Sequence, residues 1–115
     1  MVMHSEVFET LADPTRRRIL DALRGGEQAV NDIVDRVDIH QSGVSRHLRI
    51  LSDAGFVRMR PDGPKRFYSL RPEPFEELDQ WLLGYRKLWE ELDRFARALD
   101  RKKAARTTKR RETER

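Results

Sequence analysis

A regular spacing of apolar residues between positions 75 and 99 constrains the fold of this chain more than any other feature. The intervals alternate between three and four residues, which is the a/d pattern of a heptad repeat and places these side chains on one side of a helix. The eight residues, called the heptad seam below, are Phe75, Leu78, Leu82, Tyr85, Trp89, Leu92, Ala96 and Leu99. Trp81, Leu88 and Phe95 lie beside the seam and widen the apolar stripe.

The heptad seam predicts a homodimer. A helix of about 25 residues is roughly 37 Å long at about 1.5 Å per residue, and the other predicted elements are too short to cover it. Burial against a second copy of the chain is the economical solution, with an interface that includes Phe75, Leu78, Leu82, Tyr85, Trp89, Leu92 and Leu99. In a second interpretation, the aromatic residues Trp81, Tyr85, Trp89 and Phe95 line a ligand pocket between the subunits.

Two short amphipathic helices are predicted in the middle of the chain. The apolar residues of "VNDIVDRV" (30–37) recur at i, i+3, i+4 and i+7, which is typical of one helix face. After the three-residue linker "DIH", a second helix over 41–54 has Val44, Leu48 and Leu51 on its inner face. Two short helices joined by a tight turn form a helix-turn-helix.

A β-hairpin is predicted over residues 56–70. "FVRMR" and "RFYSL" alternate apolar and polar side chains, and "PDGPK" between them is a strong turn signal. A two-stranded hairpin is only marginally stable alone, so it must pack on the helices, as a wing does. Upstream, helices are predicted over 3–11 and from Pro14, with Asp13 as the N-cap and Gly25-Gly26 as the stop. The predicted fold is mainly α with a small β-hairpin.

The charge distribution indicates a polyanion-binding surface. Residues 41–71 hold seven Lys or Arg and two Asp, and residues 101–115 hold eight Lys or Arg and two Glu, whereas the segments 1–40 and 72–100 are acidic. The arginine run at positions 16–18 points in three directions on a helix, so we expect a solvated surface or local pairing with acidic residues there rather than one patch. The tail 101–115 is poor in apolar residues, and we expect it to be a basic disordered segment after a single domain over 1–100.

Several classes of protein are excluded or disfavoured. The absence of cysteine excludes disulfides, thiolate metal sites and cysteine nucleophiles. No catalytic motif or phosphate-binding loop is apparent, so we expect no enzyme and no cofactor. The sequence has no apolar run long enough for a membrane span and no secretory signal at its start, so we expect a cytoplasmic protein without membrane contact.

In three segments the sequence resembles the ArsR family of winged helix-turn-helix transcriptional repressors. These are "LADPTRRRILDAL", "QSGVSRHLRILSDAGFV" and the hairpin ending "RFYSL", and the resemblance covers about residues 4–100. It implies a homodimer that is formed through the first and last helices and binds a two-fold operator in double-stranded DNA, often to repress its own promoter. The metal sensors of the family carry ligands that this chain lacks, since residues 30–37 contain no Cys and the last helix contains no His. The resemblance is therefore to the metal-independent members.

The resemblance implies that the helix over 41–54 is the recognition helix and that the hairpin over 56–70 is the wing. Arg can bond guanine in a bidentate fashion and Gln can serve adenine, while other polar groups contact phosphates. His40 is a poorer N-cap than Ser, Asp or Asn, so Gln41 or Ser42 is an alternative cap. The candidate DNA-binding residues are Gln41, Ser42, Ser45, Arg46, His47, Arg49, Arg60, Lys65 and Arg66.

Two alternatives remain open at the level of the sequence. One is a repressor that responds to a small-molecule inducer bound in an aromatic pocket at the interface. The other is a dimeric protein-interaction module that does not recognise DNA sequence, whose mark would be equal affinity for any duplex.

Overall fold

The computed structural model describes the backbone of residues 5–113 and the side chains of residues 6–108. Along the chain the elements are α1 (Ser5–Leu11), α2 (Pro14–Ala22), β1 (Gln28–Ala29), α3 (Val30–Val37), α4 (Gln41–Asp53), β2 (Val57–Asp62), β3 (Lys65–Leu70) and α5 (Glu73–Thr113). The prediction of a mainly helical winged helix-turn-helix is confirmed. Within the described part of the chain, no helix is both long and apolar enough to cross a membrane. The chain divides into two compact units, of which the first ends at Asp79 and the second begins at Gln80.

The start of α2 follows the local sequence closely. Asp13 is the predicted N-cap, and its carboxylate accepts the backbone N–H groups of Thr15 at 2.8 Å and Arg16 at 3.1 Å. Pro14 occupies the first turn, where no N–H is required. The helix ends at Ala22, earlier than the predicted stop at Gly25-Gly26, because the N–H of Leu23 closes the last turn on the preceding carbonyls without a left-handed residue.

The core of the first unit lies between α1 to α4 and the base of the wing. Its buried residues are Val7, Ile19, Leu20, Leu23, Ile33, Val37, Val44, Leu48, Leu51, Phe56 and Val57. Phe56 is fully buried, and its ring meets that of Phe75 edge to face, with centroids 5.5 Å apart. This core holds α4 by one face and leaves its other face exposed.

The wing is larger than the sequence indicates. β2 and β3 pair in antiparallel register from Val57↔Leu70 to Asp62↔Lys65, and Gly63 with φ +59° opens the connecting turn. β1 adds a third strand on the other side of β3, giving the order β1-β3-β2. A strand of two residues is too short to show alternation in the sequence, so β1 was not predicted.

The helix α5 runs past the predicted end of the ordered chain. The prediction of disorder over 101–115 is therefore wrong for residues up to Thr113. Positions 114 and 115 lie outside the described residues, and so do positions 3 and 4 of the predicted first helix. The segment 101–113 contains no Gly or Pro and is rich in Ala, Lys and Arg, which are strong helix formers. Its low apolar content prevents it from forming a packed core, but it does not prevent a helix.

Phe56→Ala should lower the free energy of unfolding by about 3–5 kcal/mol, because it removes a fully buried ring and leaves a cavity beneath the wing. Urea denaturation followed by circular dichroism measures the change. The control is Met59→Ala on β2, whose side chain is 42% exposed and whose loss should cost less than about 1 kcal/mol. Equal losses in the two variants would show that Phe56 does not anchor this core.

Candidate nucleic-acid interface

The two faces of α4 differ sharply in burial. Val44, Leu48 and Leu51 are fully buried against the core. The outer face carries only polar side chains that are exposed to solvent, and these are Gln41, Ser42, Ser45, Arg46 and Arg49. Five of the predicted DNA-binding residues therefore share one exposed surface of a helix that is fixed from behind.

The turn before α4 is tight and ends in an unusual cap. Asp38 adopts the left-handed conformation, with φ 54° and ψ 48°, which Asp tolerates better than most residues. His40 is the N-cap of α4, because its Nδ1 accepts the backbone N–H of Ser42 at 3.3 Å. The expectation that Gln41 or Ser42 caps the helix is therefore wrong. The Ser42 hydroxyl lies 2.9 Å from the same nitrogen, so it also contributes to this turn.

His47 lies apart from the exposed face of α4. Its side chain is half-buried, and its Nδ1 is buried without a hydrogen-bond partner in the structure. The His47 ring makes a small contribution to the lowered pKa of Asp13, whose main cause is the hydrogen bond from the backbone N–H of Arg16. His47 therefore lies on the side of the helix near the start of α2.

An open cleft of about 510 Å³ joins the recognition helix to the wing. Gln41 and Ser45 line one side of this cleft, and Lys65 and Arg66 at the start of β3 line the other. Among the described residues, Lys65 and Arg66 have no ion-pair partner, so both cationic groups are available to an anion. The cleft brings four of the predicted site residues together.

Two polar residues of this cleft were not among the candidates from the sequence. Asn31 and Asp32, in the first turn of α3, also line it. These residues lie more than thirty positions before Lys65 and Arg66, so only the tertiary structure shows that they border the same cleft. Asp32 places a negative charge beside Lys65 and Arg66, and it limits the attraction of the cleft for phosphate.

Arg60 differs from Lys65 and Arg66 because its guanidinium already has partners within the protein. Its Nη2 lies 2.7 Å from Glu27 Oε1, and its Nε donates to both oxygens of that carboxylate. The guanidinium also lies over the Phe67 ring, 4.8 Å from the centroid. A DNA contact by Arg60 must therefore compete with an existing ion pair.

The arginine run at positions 16–18 is exposed at Arg17 and Arg18, and Arg16 lies 3.9 Å from the Asp13 carboxylate, but two of the three side chains also bond to the backbone. Arg16 donates from Nε to the Thr10 carbonyl at 2.8 Å and from Nη2 to the Glu9 carbonyl at 3.0 Å. Arg17 donates from Nη1 to the carbonyls of Leu11 at 2.7 Å and Ala12 at 3.1 Å. Both side chains donate to carbonyl groups at the C-terminal end of α1 and just after it, where the helix supplies few N–H donors of its own.

The Arg60–Glu27 pair makes a testable contribution to acid stability. Hydrogen bonds from the Arg60 side chain hold the pKa of Glu27 below its ordinary value of 4.5. A carboxyl with a lowered pKa stabilises the fold above its ordinary pKa, and this contribution is lost as the pH falls through the lowered value. Glu27→Gln should therefore lose less stability than the wild type between about pH 7 and about pH 3.

Urea denaturation at both pH values measures this difference. Glu9→Gln, at an exposed glutamate outside the ion pair, is the matched control and should follow the wild type. If Glu27→Gln follows the wild type as well, the ion pair does not persist in solution.

Comparisons with known proteins agree with this geometry. A family model described as a helix-turn-helix domain matches residues 11–60. The transcriptional repressor SdpR of Bacillus subtilis is 35% identical over 81 residues, which cover 70% of this chain and 90% of SdpR.

Two solved structures are also similar. A crystal structure described as an ArsR family transcriptional regulator has a TM-score of 0.65 and 32% identity, covering 75% of this chain and 89% of that chain. The solution structure of the homodimeric winged helix-turn-helix DNA-binding domain of a possible ArsR-family transcriptional regulator from Mycobacterium bovis has a TM-score of 0.59 and 27% identity. It covers 73% of this chain and 80% of that chain.

Proposed function

The chain belongs to the ArsR family of winged helix-turn-helix transcriptional regulators, and on this premise we propose how it acts as a DNA-binding transcriptional repressor. The protein is a homodimer that binds a two-fold operator, with one α4 helix in the major groove of each half-site. The observation that carries the proposal is the outer face of α4, where only polar side chains are exposed while Val44, Leu48 and Leu51 are fully buried. Operator binding of this kind is consistent with a cytoplasmic location.

The proposed contacts divide into base recognition and positioning. Arg46 and Arg49 have no ion-pair or hydrogen-bond partner among the described side chains, so their guanidinium groups are free to bond guanine O6 and N7. Gln41 is placed for an adenine. The remaining exposed candidates position the protein on phosphates, and these are Ser42, Ser45, Lys65 and Arg66. His47, which is half-buried apart from the exposed face of α4, has the least access to DNA and is assigned no contact.

Arg60 has a different place in this proposal. Its guanidinium approaches DNA only by leaving Glu27, so a phosphate contact exchanges one anionic partner for another. The net gain in affinity from this residue is correspondingly small. We therefore assign it the weakest contact among the wing cations.

Dimerisation is assigned to the terminal helices α1 and α5. Within the single chain, the side chains of Tyr85, Trp89 and Leu92 are 58%, 72% and 58% exposed, although they belong to a regular apolar seam. Large apolar groups that are contiguous and exposed favour a partner surface. The homodimeric relative from Mycobacterium bovis supports a second copy of the chain as that partner.

Selection of binding sites from a pool of random duplexes tests the proposed function. We expect the full chain to enrich an inverted repeat whose half-sites lie about 10 base pairs apart or a multiple of that distance. Its affinity for the selected duplex should exceed that for a shuffled duplex by roughly a thousandfold at physiological salt. Footprinting of a single half-site would refute the two-fold arrangement. Equal binding to both duplexes would favour the interaction module.

The repressor is assigned to the metal-independent members of the family. The chain has no cysteine, and the described residues contain no cluster of His, Asp and Glu suited to a metal ion. Operator affinity should therefore be the same in a chelator and in excess Zn²⁺. A change of tenfold or more, about 1.4 kcal/mol, would contradict this assignment.

Regulation by a small-molecule inducer is the alternative that the seam supports. The rings of Trp81 and Tyr85 lie 5.0 Å apart and are both partly exposed, so they offer an aromatic surface to a planar apolar ligand. Saturable quenching of tryptophan fluorescence by such a ligand, together with loss of operator binding, would establish this mode. Quenching without loss of DNA binding would refute it.

A further inference from the structure

The heptad seam of α5 changes from apolar to cationic after Leu99. The same alternation of four and three residues continues to positions 103 and 106, which are Lys103 and Arg106. The helix continues without interruption through both positions. The register that places apolar groups on one side up to Leu99 therefore places cations on that side beyond it.

This change disfavours parallel pairing with a second copy of the chain beyond Leu99. Such pairing through the seam would bring Lys103 and Arg106 of two copies close to one another. Like charges at such positions repel, and burying them without counter-charges is costly. The segment 101–108, called the basic extension below, is therefore better suited to an anionic partner than to a parallel copy of itself.

The described side chains of α5 do not neutralise the basic extension. Earlier in α5, Arg97 lies 2.8 Å from Asp93, one turn away, as is usual for compensated helix surfaces. In the extension, Arg101, Lys102, Lys103 and Arg106 have no ion-pair partner among the described side chains. The sequence adds Lys109, Arg110 and Arg111 directly after it.

The cations also share a direction. At about 100° per residue, Lys102, Lys103 and Arg106 fall within an arc of roughly 100° on the helix. All three side chains are exposed. A one-sided row of positive charge without ion-pair partners among the described side chains fits the regular phosphates of a duplex, which carries one negative charge per about 1.7 Å of its axis.

We propose that the basic extension binds the phosphates of duplex DNA, independently of sequence and outside the contacts of α4 and the wing. The inference rests on the proposed function, because the duplex held by the helix-turn-helix is the polyanion available to the same chain. A second anchor on one chain binds the same molecule at a high effective concentration, which increases affinity without a new specific contact. The extension thus raises affinity for every duplex and leaves the preference for the operator unchanged.

The test uses the full chain and a 40-base-pair duplex of mixed sequence. The variant replaces Lys102, Lys103 and Arg106 by Gln, and binding is titrated by anisotropy between about 50 and 200 mM salt. The slope of log K against log salt should become shallower by up to about 2.7 per chain. Affinity at about 0.1 M salt should fall on the order of ten- to a hundredfold.

The matched control replaces Lys87, Arg94 and Arg97 by Gln. These three cations lie on the same helix but on the side opposite the seam, so they change net charge equally and should leave the slope within about 0.5 of the wild type. An equal change of the slope in both triple variants would overturn the proposal, because the change would then depend on net charge and not on the position of the cations. An unchanged slope in the variant of the basic extension would also overturn the proposal. If that variant instead loses binding to phosphatidylserine vesicles, the anionic partner is a membrane surface and not DNA.

Failure of the proposed function gives a different result. A protein without sequence preference would bind selected and shuffled duplexes equally, whatever the state of the basic extension. If the function holds and the extension contributes as proposed, the triple variant weakens binding to both duplexes by the same factor.

Discussion

Leu92→Glu should convert the proposed homodimer into a monomer and weaken operator binding by about a hundredfold or more. Leu92 lies in the heptad seam of α5 and is 58% exposed in the single chain. In the proposed dimer the two copies of this side chain are buried, so the variant would place two carboxylates in an apolar interface. Each unpaired buried carboxylate costs several kcal/mol, which is comparable to the stability of the interface. The monomer then binds one half-site and loses the linked contribution of the second.

Analytical ultracentrifugation and anisotropy titration measure the two effects. The control is Arg94→Glu, which introduces the same carboxylate two residues away on the side of α5 opposite the seam. This variant should remain a dimer and should lose little operator affinity. If Leu92→Glu remains a dimer, the seam is not the interface. If it becomes monomeric yet binds the operator as the wild type does, the two-fold mode of binding is wrong.

The double substitution Arg46→Ala and Arg49→Ala should remove most of the preference for the operator over other duplexes. Each bidentate contact between arginine and guanine contributes roughly 1–3 kcal/mol of discrimination, so two contacts amount to roughly 30- to 25,000-fold at one half-site. Both side chains are exposed and free of partners in the described structure, so the fold should be retained. The remaining binding should approach that of non-specific DNA, because the variant leaves the proposed phosphate contacts of Lys65 and Arg66 unchanged.

Titrations of the selected and shuffled duplexes at one salt concentration measure the preference directly. Arg18→Ala removes an exposed arginine from α2 and is the control, with an expected preference within about threefold of the wild type. Circular dichroism confirms that each variant is folded. If the double variant weakens both duplexes by one common factor, Arg46 and Arg49 are phosphate contacts, and base recognition lies elsewhere on α4.

Most of the elements could be predicted because their signals are local. The N-cap at Asp13, the periodicity of 30–37 and the three buried residues of α4 each depend on residues within a few turns. The hairpin followed from its alternation and from the Asp-Gly turn. The wrong prediction of the α4 cap also has a local cause. His40 caps the helix through a ring nitrogen, whereas the usual preferences at this position describe small polar side chains.

Contacts between distant segments were not available from the sequence. The strand β1 exists because Gln28 and Ala29 lie opposite Tyr68 and Phe67, some forty residues away, and not because of any pattern of their own. The ion pair of Arg60 with Glu27 joins the wing to the segment before α3 in the same way. It turned a predicted DNA contact into a residue that already has an anionic partner.

The sequence by itself determined the helix-turn-helix, the wing, the family and the polar outer face of α4, because periodicity, caps and turns are encoded by neighbouring residues. Only the tertiary structure decided which cations remain free for DNA. Arg16 and Arg17 were drawn to the carbonyls at the end of α1 and Arg60 to Glu27, whereas Lys65 and Arg66 were left beside Gln41 and Ser45 in one cleft. The physical reason is that a charge pairs with whatever opposite charge or dipole the fold brings within reach, and that neighbour is set by packing rather than by position in the chain.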